Sequence, residues 1–327
     1  MPLTFVGFAS QLTATLQSGD KVTPFYGADS FKEAFAAAVD GDVITLSVGK
    51  FNVVEVNKAI TIIGAYAFSD DASKMTQFAT LTVSADNVTL EGIRFTSSLT
   101  IKGADNLSVN RCFILSAIDG AKDDEHKYHN NTIMTDCLIY QYDAMSLSKS
   151  TVLRNCGINY FTDTNESADL ALIENCNVAN FRTYTGSYSD CQPYAIYKNC
   201  LLGLYTNSKT NPGPTVNLTS PSEFHNNYFL QSYSYSSSAL SSSNYWTINY
   251  NSCAHSDNES YKYFSVSSFS SVIGFNSRES TTYNGKTYGP IDSKSDPAIP
   301  SITSATIDGK TDADGLLHVK ITATARD

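Results

Sequence analysis

Long apolar runs are missing from this chain of 327 residues, and no stretch approaches the roughly eighteen residues that a membrane helix needs. The start of the chain also lacks the basic and continuous apolar regions of a secretory leader. Either the protein is intracellular or its targeting segment is absent from this chain. Charge is scarce as well, at 17% against about 25% in ordinary globular proteins. Lys and Arg number 22 against 32 Asp and Glu, a net charge of −10, and no basic stripe interrupts the balance. A phosphate backbone would be repelled, which excludes nucleic acid as a partner. Tryptophan occurs once, yet there are 20 Tyr and 17 Phe in a chain that is 42% hydrophobic. That composition describes a folded, β-rich protein, and the length suits one elongated all-β body as well as two or three domains.

A short pattern repeats along the chain. Its copies begin Ile62-Ile63-Gly64, Leu90-Glu91-Gly92, Val109-Asn110-Arg111, Met134-Thr135-Asp136, Leu153-Arg154-Asn155, Ile173-Glu174-Asn175, Tyr197-Lys198-Asn199 and Phe224-His225-Asn226. The first column is apolar. The third holds Gly, Arg, Asp and mostly Asn, types that enter the left-handed backbone region at low cost, so this column is a sharp turn. The fourth is mostly Cys and the sixth runs Ala67, Phe95, Ile114, Ile139, Ile158, Val178, Leu202, Phe229, so both point inward. A step of about twenty residues is too short for a βαβ crossover but fits one coil of a solenoid of short strands. Residues 43 to 230 therefore read as a parallel β-helix, with loops of different length inserted between strands.

Cys112, Cys137, Cys156, Cys176 and Cys200 share one column in five consecutive coils. In-register neighbours carry parallel Cβ vectors, a poor geometry for disulfides, so these five read as a buried, reduced ladder. With no Cys-x-x-Cys pair and no converging ligands, no metal site is expected. Cys191 and Cys253 stand outside the column, where a bond between them stays open.

The repeat resembles the right-handed parallel β-helix of the pectin-lyase-like superfamily, over roughly residues 30 to 230. Its opening agrees: Ser30 and Glu33 suggest a capping box, and Phe31, Ala34, Phe35 and Ala38 share one face of a short helix, followed by Asp40-Gly41-Asp42 and Val43–Leu46. In that family such a helix plugs the open end of the coils. Beyond 230 the register is not fixed. Residues 290–300 read as a linker, and Ser301–Ile307 with Leu316–Thr324 as an antiparallel hairpin covering the end or side of the solenoid. The division expected is thus an N-terminal extension (1–29), the β-helix (30–289) and a linker with hairpin (290–327). The general style also resembles cell-surface β-helix proteins of gut Bacteroidetes.

The fold hosts lyases, hydrolases, adhesins and tailspikes, so it leaves function open. Family members that cleave uronic-acid polymers use acids that hold calcium with an Arg or Lys base, and those that hydrolyse pectic chains use Asp residues with a Gly-His-Gly. Neither Gly-His-Gly nor Arg-x-Pro-x-x-Arg is present. Candidates in the coil body are the aromatic series Tyr142, Phe161, Phe181 and Tyr205, which would stack on a polysaccharide, and beside it Asp143, Asp163 and Arg182 as catalytic candidates. The run Lys122-Asp123-Asp124-Glu125-His126-Lys127-Tyr128-His129 reads as a solvated loop, and the Tyr-rich stretches 184–197 and 233–250 as adaptable contact surface. The expectation is a noncatalytic, secreted or cell-surface monomer that binds glycan or protein without a cofactor. The alternatives are a polysaccharide lyase, for which calcium is then implied, or a glycoside hydrolase, acting on an acidic plant or host glycan, and a spacer with no ligand.

Overall fold

The computed structural model describes residues 12–69, 71–119, 129–144, 148–163, 170–181, 195–206, 215–218, 221–233, 247–250, 252–265, 278–291, 301–311 and 317–324. The chain is an all-β parallel β-helix with one α-helix among the described residues. It divides into two compact units, Met1–Ser293 and Lys294–Asp327. In the first, a 12-stranded and a 10-stranded sheet run side by side, and each coil contributes one strand to each. Among the described residues no helix is long and apolar enough to cross a membrane.

Register turns the sequence columns into ladders. In the 12-stranded sheet Ile44, Ile62, Leu90, Val109, Met134, Leu153, Ile173, Tyr197 and Phe224 pair in succession. All nine side chains are fully buried. Across the core, the 10-stranded sheet pairs Phe78, Phe95, Ile114, Ile139, Ile158, Val178, Leu202 and Phe229 in the same way. Strands spaced by about 4.8 Å place like on like, so every coil buries its apolar face against two neighbours and none is stable alone. A ninth copy, His255-Ser256-Asp257-Asn258-Glu259-Ser260, continues both ladders in polar residues, and His255 and Ser260 are exposed. The apolar columns therefore end inside the solenoid's own sequence.

The turn between the sheets is left-handed at Gly92, Arg111, Asp136, Asn155, Asn175, Asn199, Asn226 and Asp257, with φ between 50° and 65°. Gly64, aligned with this column by sequence, is not in that region. It is glycine for space, since a Cβ there would sit 2.5 Å from the Gly92 carbonyl oxygen. The first copy thus keeps only its first half. The strand paired with Ile93–Ile101 is Thr76–Val83, not the segment from Ala65. Of the residues inserted between these strands, Ala67 and Phe68 pack against Phe113 and Leu138 on the outside of the sheet, and Ala72–Lys74 form a 3-10 turn.

The Cys column is buried and reduced. Each sulfur lies 3.2–3.9 Å from the first-column carbonyl of the preceding coil and 3.2–3.3 Å from a carbonyl two residues upstream. It also accepts from the backbone of the coil before, as in Cys156 N–H to Cys176 Sγ at 3.4 Å. Asn227 and Asn258 continue the job: Asn227 Nδ2 donates to Tyr197 O, Asn258 Nδ2 to Phe224 O, and their Oδ1 atoms accept from Cys200 N–H and Asn227 N–H. Burial pushes the thiols of Cys112, Cys137 and Cys156 well above their ordinary value and that of Cys200 up to about 12. Cys253 is a free buried thiol; Cys191 lies outside the described residues.

Part of the N-terminal extension joins the 12-stranded sheet. Thr13–Ser18 and Lys21–Tyr26 form a hairpin, and the first of them adds antiparallel to Val43–Leu46. The helix Ser30–Ala37 buries Phe31, Ala34 and Phe35 against the first coil, with the Phe31 ring 5.0 Å from that of Phe78. Its N-cap is Asp29 rather than Ser30, and no capping-box bond forms, because Ser30 already lies in the buried first turn. Lys58 Nζ closes the other end by donating to the Phe35 and Ala38 carbonyls, both at 2.7 Å, where the helix dipole is negative. In the second unit Ser301–Thr311 and Leu317–Thr324 form the expected antiparallel hairpin.

Candidate functional site

The outer surface of the 10-stranded sheet carries a fifth column, and Gln77, Arg94, Phe113 and Leu138 stand in it side by side. Tyr66, Phe68, Ser69, Ala72 and Met75 stand beside this column, and a segment from far down the chain, Arg278 to Ile291, returns along the turns. Between them lies a cavity of about 720 Å³. Its floor is apolar: Met75, Phe113 and Leu138 are at most 6% exposed. The inserted segment contributes Tyr66 and Phe68, whose rings meet edge to face at 6.0 Å.

Two guanidinium groups line the cavity, each over an aromatic ring. Arg94 stands 3.7 Å from the centroid of Phe113 and Arg278 3.7 Å from that of Phe68. At that distance each cation is attracted by the negative face of its ring. Arg94 Nη1 contacts Met75 Sδ at 3.7 Å, and Arg278 Nη1 donates to the Asp136 carbonyl at 3.4 Å. Burial holds Arg278 below the ordinary guanidinium value, with Tyr66, Cys137, Asp136 and Cys156 pulling the other way. It remains charged at neutral pH all the same. Among the described lining residues there are two cations and no carboxylate.

Arg278 is held by the returning segment, a strap over the solenoid. Thr281–Tyr283 and Lys286–Tyr288 pair across Asn284-Gly285, both at positive φ, the two-residue turn that suits a twisted hairpin. The rings of Tyr283 and Tyr288 stack on Tyr228 at 4.8 and 5.4 Å, and Tyr288 is fully buried. Gly289 N–H donates to Asn199 O at 2.8 Å, and Asn177 Nδ2 to Glu279 O at 3.0 Å.

The residues singled out from the sequence lie elsewhere. Tyr142 is fully buried in the core, and a ring with no exposed surface stacks on no sugar. Its backbone pairs with Phe161, but Phe181 pairs with Leu204 after a register shift, one step short of Tyr205. Asp143 pairs with Thr162 and Asp163 with Ala144, so the two acids are one residue out of register. The side chains of Asp143, Phe161, Asp163, Phe181 and Tyr205, and all of Arg182, are outside the described part, as are residues 120–128 of the acidic loop. Of the Tyr-rich stretches, Tyr197 belongs to the core, stacked on Phe224 at 5.1 Å, and Tyr250 stacks on His255 at 4.1 Å. Arg94 beside Phe113 was legible in the columns, one residue after the Cys position. Arg278 was not, since nothing local marks where the strap lands.

No family model matches the chain, and no curated protein does. Among solved structures it is similar to one described as a polygalacturonate lyase by fusing with a self-assembling amphipathic peptide. That match has 13% identity and a TM-score of 0.28, over 68% of this chain and 61% of the other. The match is too loose to carry an argument about activity. The β-helix stands on the register of its own sheets.

Proposed function

We propose that the chain is a noncatalytic binding protein, secreted or displayed at a cell surface, that holds a glycan on the outside of the solenoid as a monomer. The observation that supports this reading is the cavity between the inserted segment and the strap. Its aromatic rings and guanidinium groups place apolar faces beside hydrogen-bond donors, the combination that suits the alternating C–H and hydroxyl surfaces of a sugar. Its described lining offers no acid with which to protonate a glycosidic oxygen. The likeness to surface β-helix proteins of gut Bacteroidetes belongs to the same proposal.

The test is a glycan array run beside a depolymerisation screen on acidic and neutral polysaccharides, with and without calcium. Binding with no chain shortening supports the reading. Shortening, above all if calcium-dependent, would establish a lyase or hydrolase instead, and silence in both assays would leave the spacer.

A further inference from the structure

We propose that Asn284-Gly285, at the tip of the strap, is a site of spontaneous covalent modification whose product unfastens the strap: Asn284 closes on the next backbone nitrogen, loses ammonia and takes up water to become isoaspartate. It is the one Asn-Gly pair in the chain. Eight asparagines among the described residues hold positive φ, and at the other seven the next residue is Val, Leu, Thr, Cys or Asn, whose side chain crowds the adjacent nitrogen. Gly285 has no side chain to do so, and nothing lies within 4 Å of the place where a Cβ would sit. Both turn residues are exposed. The Asn284 carboxamide has no hydrogen-bond partner among the described residues, whereas the ladder asparagines are tied to one another, as Asn131 is to Asn106 at 3.0 Å.

Water is the co-reactant. The Gly285 nitrogen gives its proton to hydroxide and bonds to Asn284 Cγ; the Cγ–Nδ2 bond breaks, and the amide leaves as ammonia after taking a proton from water. The five-membered imide so formed adds one water and opens at either carbonyl, to aspartate or to isoaspartate. Aspartate keeps the two-residue turn, because it tolerates the same left-handed backbone. Isoaspartate routes the main chain through Cβ and Cγ, lengthens the turn by a methylene and breaks the pairing of Tyr283 with Lys286. That turn joins the two arms whose rings, Tyr283 and Tyr288, stack on Tyr228 at 4.8 and 5.4 Å. The same strap carries Arg278, so its release takes away part of the cavity wall. The loss of ammonia makes the release one-way.

The test is to hold the full chain in mildly alkaline buffer over days, map its peptides by mass spectrometry and digest samples briefly with chymotrypsin. Isoaspartate is expected at Asn284 before any other asparagine. Cleavage after Tyr283 and Tyr288 should rise in step with it, to at least about tenfold the rate in fresh protein, as the open form becomes populated. Asn284→Gly keeps a residue suited to positive φ and cannot form the imide, so its strap should resist chymotrypsin before and after the incubation. Asn284→Asp should resist when fresh, which separates the added charge from the lengthened turn. Isoaspartate appearing first at another asparagine would overturn the site, and isoaspartate at Asn284 with unchanged cleavage would overturn the release. So would cleavage that rises equally in aged Asn284→Gly. If Asn284→Gly itself loosens the turn, the wild-type time course still decides between these outcomes.

Discussion

At the turn column, single residues set the path of the chain. Asn175 sits at φ 52°, and its strand neighbours on both sides repeat the conformation in Asn155 and Asn199. Left-handed backbone costs a β-branched residue about 1–2 kcal/mol more than glycine or asparagine. Asn175→Gly is therefore expected to stay within a few tenths of a kcal/mol of wild type, while Asn175→Val loses at least about 1–2 kcal/mol. Urea midpoints of the two variants check this, and equal midpoints would contradict the turn assignment. Arg111 occupies the same column at φ 51° with a bulkier side chain, tied by an ion pair to Glu91 one coil earlier. The Asn residues of this column were readable because only a few residue types tolerate that backbone. Asn87, Asn106 and Asn131 form a second left-handed set at φ 57–63°, in which Asn131 Nδ2 donates to Asn106 Oδ1 and Asn106 Nδ2 to Asn87 Oδ1. Those residues precede the strands of the 12-stranded sheet by two positions, outside the six-residue pattern.

Among the elements, the strap and the inserted segment 65–75 matter most, and neither follows from the repeat. The insertion carries Ala65-Tyr66-Ala67, which imitates columns four to six closely enough to pass as a coil. Only pairing shows that Thr76 takes the place beside Ile93. The strap announced its turn in Asn284-Gly285, but a two-residue turn names no landing site. Gly289→Ala should free the strap while the coils stay folded. Limited proteolysis is expected to cut the variant between 278 and 291 at least about tenfold faster than wild type, with a small change in melting temperature. Tyr288→Ala removes a fully buried ring and should cost about 3 kcal/mol. Unchanged protease resistance in both would show that the strap is held by something other than these contacts.

Over the whole molecule, columns become continuous ladders, and a property of one rung is multiplied. Cys112, Cys137, Cys156 and Cys200 are all held neutral by burial, with folded values above the ordinary 9.0. For an acid whose folded value is raised, stability is complete below the unfolded value and is lost as pH climbs above it, because only the unfolded chain then releases the proton. Each thiol should steepen that loss by up to about 1.4 kcal/mol per pH unit. Stability is thus expected to hold flat up to about pH 8 and fall steeply from pH 9 upward, with Cys200→Ser shallower by about one proton. Urea titrations across this range read it directly, and a flat profile to pH 11 would show that the thiols are not buried.

The same multiplication explains what was legible in the chain. A solenoid prints its core once per coil, so first- and sixth-column residues from Leu90 to Phe229 read true, whereas the polar ninth coil at His255 did not announce itself as a coil. Function has no such repetition. The measurement that bears most directly on the account is a crystal structure of the full chain with an oligosaccharide that the glycan array shows it to bind. The account predicts an uncut sugar seated in the cavity lined by Tyr66, Phe68, Phe113, Arg94 and Arg278, with at least one hydroxyl within about 3.2 Å of a guanidinium nitrogen. A sugar seated over Asp143 and Asp163, or one found cleaved, would contradict it.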